Sequence, residues 1–129
     1  MPHYSKQSQE KLETCDARLQ DIFNTVIKVF DHSILCGHRS QAEQDLAFQT
    51  NKSKVQWPNG KHNKTPSQAV DVAPYPIEWD NTKRFTLFAG FVLGVAEMKG
   101  VKIRWGGDWD GDTKMKDQKF NDLVHFELM

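Results

Sequence analysis

The sequence predicts an α+β fold in which a small antiparallel sheet packs against helices, and three observations lead to it. Residues 122–128, Asp-Leu-Val-His-Phe-Glu-Leu, alternate with the period of a strand, placing Val124, Phe126 and Leu128 on a core and His125 with Glu127 on the opposite face. Residues 69–73, Ala-Val-Asp-Val-Ala, repeat the pattern, with Val70 and Val72 turned one way and Asp71 the other. Between residues 6 and 30 the apolar positions instead recur at steps of three and four, the stripe of an amphipathic helix. An imidazole and a carboxylate on the second faces of core strands call for a chemical reason. His62, in a polar loop before Asp71, supplies a third group. Two imidazoles and one carboxylate, His62, Asp71 and His125, form a three-ligand zinc set that leaves a fourth position open. A buried carboxylate without a partner costs several kcal/mol or is neutralised, and a cation on the open face of the sheet removes that penalty.

The 129 residues are expected to form a single monomeric domain over 1–129, long enough for a real core but too short for a catalytic domain and a separate binding module. Lys+Arg and Asp+Glu are both 17, so the chain lacks the positive surplus that favours a nucleic-acid partner. No apolar run reaches the roughly 18 residues of a membrane span, and the first residues have no signal-peptide core. The expected location is therefore the cytoplasm in which the protein is made, until another factor releases it. Cys15 and Cys36 are too few for a disulfide framework and read as buried thiols.

Taken in order, Leu12, Cys15, Leu19, Ile22, Phe23, Val26, Ile27 and Phe30 predict one continuous helix covering the core. Ile34-Leu35-Cys36 suggests a strand closed by Gly37. Ser40 followed three positions later by Glu43 is a capping box, so a helix should start at Gln41, leaving Arg39 at a strand-to-helix junction. Residues 50–68 are rich in turn formers, and a loop of that length inside a small domain is usually functional or disordered; it holds His62 and also Trp57, which could pack over the site or line a groove. After the Asp71 strand, Pro74-Tyr75-Pro76 ends regular structure. Asp80 or Asn81 caps a helix running to about Lys99, buried through Phe85, Phe88, Ala89, Val92, Val95 and Ala96, with Gly90 and Gly94 marking a close neighbour. Residues 101–105 alternate as a strand. Asp108, Asp110 and Asp112 then stand at alternate positions that could hold calcium through oxygen ligands, although such Asp-Gly clusters are commonly plain turns. A charged loop over 113–121 returns the chain to the last strand, while His3 and His32 are expected at the surface.

Four blocks, in order, carry a resemblance. Gly37-His38-Arg39-Ser40, His62 with Asp71-Val72-Ala73-Pro74, Trp105-Gly106-Gly107-Asp108-Trp109, and Asp122 with His125-Phe126-Glu127-Leu128 resemble the D-Ala-D-Ala carboxypeptidase and L-alanyl-D-glutamate endopeptidase family of zinc peptidases, and are most similar to its small phage endolysins. The resemblance implies zinc held by His62, Asp71 and His125, Asp122 as catalytic base, Arg39 on the polarised carbonyl, and bacterial peptidoglycan stem peptides as substrate. It also implies a holin-type partner for release to the cell wall. The interval from His62 to Asp71 is two residues longer than is common there, and Asp122 stands where glutamate is frequent. Glu127, on the face of His125, is the rival base. D-Ala-D-Ala cleavage would need a cation for a free carboxylate; apart from Arg39, the arginines are Arg18, Arg84 and Arg104, and the loop lysines are further candidates. A non-catalytic zinc-containing binding module is the alternative of a different class.

Overall fold

The computed structural model describes residues 2–111 and 122–129. In chain order the elements are α1 (Lys6–Leu12), α2 (Ala17–Val26), β1 (His32–Cys36), α3 (Gln41–Gln49), a single 3-10 turn (Lys61–Asn63), β2 (Ala69–Pro74), α4 (Thr82–Met98), β3 (Ile103–Gly106) and β4 (Asp122–Leu128). The strands form one antiparallel sheet in the order β1-β2-β4-β3. Val70, Val72, Phe126 and Leu128 pack against Leu19, Phe23, Phe88 and Val92 from α2 and α4. Helices thus cover one face of the sheet, and the residues alternating with those core positions occupy the other. The predicted α+β architecture is the one observed. No helix among the described residues is long and apolar enough to cross a membrane.

The stripe expected as one helix is two. Asp16 accepts a hydrogen bond from the Arg18 amide at 2.9 Å and caps α2, breaking the chain after Leu12. The break is used. The Asp16 amide donates to Ser67 O and the Ser67 amide donates to Thr14 O, at 2.8 and 2.9 Å, which ties the end of the long loop to the helix junction. The apolar periodicity continues across the break because both helices face the same core.

The capping box of α3 forms as predicted, with Ser40 and Glu43 each bonding the other's backbone amide. Helix α4 is capped by Asn81 and closed by Gly100 at a φ of 71°; the Gly100 amide bonds Glu97 O and the Val101 amide bonds Ala96 O, the paired bonds of a Schellman ending. Gly90 and Gly94 meet no neighbour, since nothing would lie within 4 Å of a Cβ added at either, so they do not mark a close approach. The third strand begins at Ile103, later than the alternation from Val101 suggested.

His32 is buried, not at the surface. Strand β1 starts at His32, two residues before Ile34, so both lie on the core face. Its ring sits among Phe23 and Phe88, with Nδ1–H donating to Phe30 O at 2.8 Å and Nε2 accepting from the Tyr4 hydroxyl at 2.5 Å. Burial pushes the imidazole down to about 4. The unfolded chain protonates near its ordinary value of about 6.5, so between those values it binds a proton that the fold refuses. Stability is therefore expected to fall as pH drops from about 6.5 towards 4, by about 3 kcal/mol from this residue once the fall is complete. Urea denaturation across that range should give a shallower pH slope in His32→Gln; identical slopes would mean that the ring is protonated in the fold.

Candidate metal centre

On the open face of the sheet, β2 and β4 pair so that Asp71 lies directly opposite His125. The third group arrives from the loop, where the 3-10 turn places His62 over the same point. His62 Nε2 and His125 Nδ1 both lie 3.2 Å from Asp71 Oδ1. One donor atom from each of the three residues falls within 4.8 Å of the others. The remaining ring nitrogens face away and are held: His62 Nδ1 donates to Gly37 O at 2.7 Å, and His125 Nε2 donates to Glu127 Oε1 at 2.8 Å. A neutral ring whose outer nitrogen carries the proton turns its lone pair inward, as a metal-ligating histidine does. Two lone pairs and a carboxylate aimed at one point repel one another unless a cation sits among them. When protons alone fill that role, burial pulls His62 down but its hydrogen bond to Asp71 prevails and holds it up at about 10. Asp71, which burial would raise, is kept well below the usual carboxylate range by His125 and His62. The donor set and its spacing suit a divalent ion with nitrogen and oxygen ligands, zinc among them.

His62 is placed by features that reach back into the fold. A Cβ on Gly37 would lie 2.3 Å from both Lys11 O and Thr14 Oγ1, so only glycine lets the end of β1 run against the α1–α2 junction. That approach sets the carbonyl that holds His62. The Arg39 amide donates to His62 O at 2.8 Å, fixing the turn from the other side.

Arg39 and Asp122 both border the cavity of about 580 Å³ that His62, Asp71 and His125 also line. The Arg39 guanidinium donates to Gln44 Oε1 at 3.1 Å and to Asp71 Oδ2 at 3.5 Å. Asp122 is the first residue of the last strand and reaches the cavity through an irregularity in β4. Trp105 pairs with Phe126, yet the next residue, Gly106, pairs with Asp122, so β4 uses four steps against one step of β3. The alternation is lost there: Leu123 packs on the core while Val124, expected on the core, lines the cavity beside His125. Gly106 makes the crossing possible, since a Cβ would lie 2.0 Å from Asp122 O. Burial, reinforced by the charge of Asp71, raises the Asp122 carboxyl above its ordinary value.

Glu127 is bonded to the outer side of His125, and its other oxygen lies 3.3 Å from Arg104 and 3.6 Å from Lys61. Arg18 pairs with Asp16, and Arg84 donates to Tyr75 O and Pro76 O. Trp57 does not line the cavity; Trp109 does, with its ring 5.3 Å from that of His125. Asp108 and Asp110 belong to no metal-binding group among the described residues, and Asp112, like the 113–121 loop, lies outside them. Gln44 went unnoticed in the sequence. No sequence pattern singles it out, because α3 buries this glutamine alone and leaves Leu46 and Phe48 exposed, the reverse of what side-chain polarity suggests.

A sheet with helices on one face and a His-Asp-His centre at the base of a cavity on the other defines a small α+β domain built around a candidate metal site. The chain belongs to the phage L-alanyl-D-glutamate peptidase family, whose model matches residues 2–129. Its fold is also similar to that of the crystallised L-Ala D-Glu endopeptidase ChiX of Serratia marcescens, with a TM-score of 0.77 and 23% identity over 98% of this chain and 89% of that one.

Proposed function

We propose that this protein is a zinc-dependent peptidoglycan peptidase of the phage endolysin type, hydrolysing the L-alanyl-D-glutamate bond of stem peptides. The observation that carries the reading is the convergence of His62, Asp71 and His125 below a cavity that Arg39 and Asp122 also line, in a member of a peptidase family. A zinc ion held by those three residues would lower the pKa of a bound water toward about 7 and polarise the scissile carbonyl. Asp122 accepts the proton of the attacking water on its carboxylate and delivers it to the leaving amine nitrogen. Its raised pKa favours holding that proton between the two steps. Arg39, steadied by Gln44, directs an N–H at the carbonyl oxygen as negative charge develops there. Glu127 keeps the proton of His125 on Nε2 so that Nδ1 stays a ligand.

Arg104, one of the cations considered for a terminal carboxylate in D-Ala-D-Ala cleavage, is engaged with Glu127 and is not among the cavity-lining residues, while the loop lysines do line it; the internal cut is favoured by the family match. The protein would act as a single monomeric domain in the host cytoplasm until a holin-type partner admits it to the wall. Mass spectrometry of a digest of purified peptidoglycan is the test. Fragments beginning at D-glutamate and matching chains ending in L-alanine are expected. Release of free D-alanine with the L-alanyl-D-glutamate bond intact would replace this assignment with carboxypeptidase activity, and no cleavage by zinc-loaded protein would leave the binding-module reading.

A further inference from the structure

Strand β4 gives up a hydrophobic residue to the cavity. Val124 belongs to the alternation that puts Phe126 and Leu128 in the core, yet the irregular pairing with β3 turns it out beside His125, among the cavity-lining residues. Its neighbours on that side of the strand, Asp122, His125 and Glu127, are all polar. A branched aliphatic side chain left there is only partly covered by the protein, and an apolar group brought into the cavity would complete its burial.

A second apolar group meets the same histidine. The Trp109 ring lies 5.3 Å from that of His125 at an interplanar angle of 42°, and among the described residues it is the only aromatic side chain lining the cavity. The turn that carries it is fastened to β3. The Asp108 amide donates to Trp105 O at 3.0 Å, and a Cβ on Gly107 would lie 2.4 Å from the Trp105 ring, so glycine lets the turn fold closely over that indole. Val124 is set in place by its own strand. The two side chains therefore flank His125, one as its neighbour in the chain and the other through ring contact.

We infer that Val124 and Trp109 form an apolar subsite, which receives the methyl group of the L-alanyl residue on the acyl side of the scissile bond. This rests on the peptidase reading above and adds to it the element that recognises the residue before the cut. The carbonyl under attack belongs to alanine, and the methyl hangs from the carbon next to it. A substrate poised at the centre must therefore lay that methyl against whatever adjoins His62, Asp71 and His125. Of the two side chains at the bond, one is apolar and the other is anionic. Asp122 lines the cavity two residues from Val124 on the same strand and disfavours an anion there, so the apolar one fits this wall.

The test compares two synthetic stem peptides that differ only in the residue before D-glutamate, L-alanine in one and glycine in the other. Zinc-loaded wild type should cleave the alanyl peptide with a kcat/KM about tenfold higher, the usual worth of one carbon in an apolar pocket. Val124→Thr exchanges a methyl for a hydroxyl at nearly constant shape and suits a strand, so it should fold, take up zinc and lower the preference to about threefold. Trp109→Ala should bring the ratio to near one, and Trp109→Phe should keep most of it, again with zinc uptake unchanged. A purely structural role would slow both peptides alike and leave the ratio where it was. Wild type indifferent to the methyl, or wild-type ratios in both Val124→Thr and Trp109→Ala, would overturn the subsite while leaving the peptidase intact. If wild type cleaves neither peptide, the peptidase reading falls and the subsite with it.

Discussion

Replacing Asp71 with asparagine should strip the protein of its zinc and of nearly all turnover. The carboxylate lies 3.2 Å from both imidazoles, and it is the only anion of the three converging residues. An amide offers a weaker, uncharged oxygen at the same place. Metal catalysis supplies several kcal/mol of barrier reduction, so activity should drop by about a thousandfold or more. His62→Ala and His125→Ala should behave alike, because each leaves only two protein ligands. Metal analysis after exhaustive dialysis, read beside the rate, checks the set: zinc at full occupancy in any two of the three variants would remove these residues as the ligands.

Asp122→Asn should show the complementary result, with zinc and fold retained and turnover reduced by about 10²- to 10⁴-fold, the usual share of a general base. Its side chain lines the cavity but is not part of the ligand group. Glu127→Gln separates the two carboxylates. Glutamine can still accept from His125 Nε2 but lacks the charge that faces Lys61 and Arg104, so zinc affinity should weaken by about 10- to 100-fold with kcat little changed at saturating metal. A dead Glu127→Gln alongside an active Asp122→Asn would exchange the two roles.

The candidate site was legible where short-range pattern reports on the face of a strand. Asp71 and His125 stood out because each interrupts an apolar alternation, and the arrangement places them opposite one another. That pairing joins residues far apart in the chain, and nothing in either stretch encodes it. His62 could be read as a loop histidine, but the Gly37 carbonyl and the Arg39 amide that hold it come from a segment brought in by β1. The capping boundaries of α3 and α4 were legible because a few adjacent side chains determine them. The break after Leu12 was not, since the apolar stripe runs on and only Asp16, an ordinary cap residue, marks the restart. His32 looked like a surface histidine beside Asp31, though its spacing of two from Ile34 already placed it on the core face.

The irregular pairing of β4 against β3 lets one short segment serve two masters. From Asp122 to Phe126 the chain carries two cavity-facing neighbours in succession, Val124 and His125, between the core residues Leu123 and Phe126. In a regular strand, Asp122 and His125, an odd number of positions apart, would project to opposite faces. The surplus residues act as a phase shifter, so the length of this segment is itself a functional element. Regular pairing over the same number of residues would keep every side chain from Phe126 onward in its seat while turning Asp122 to the core face, so the irregularity itself aims the carboxylate.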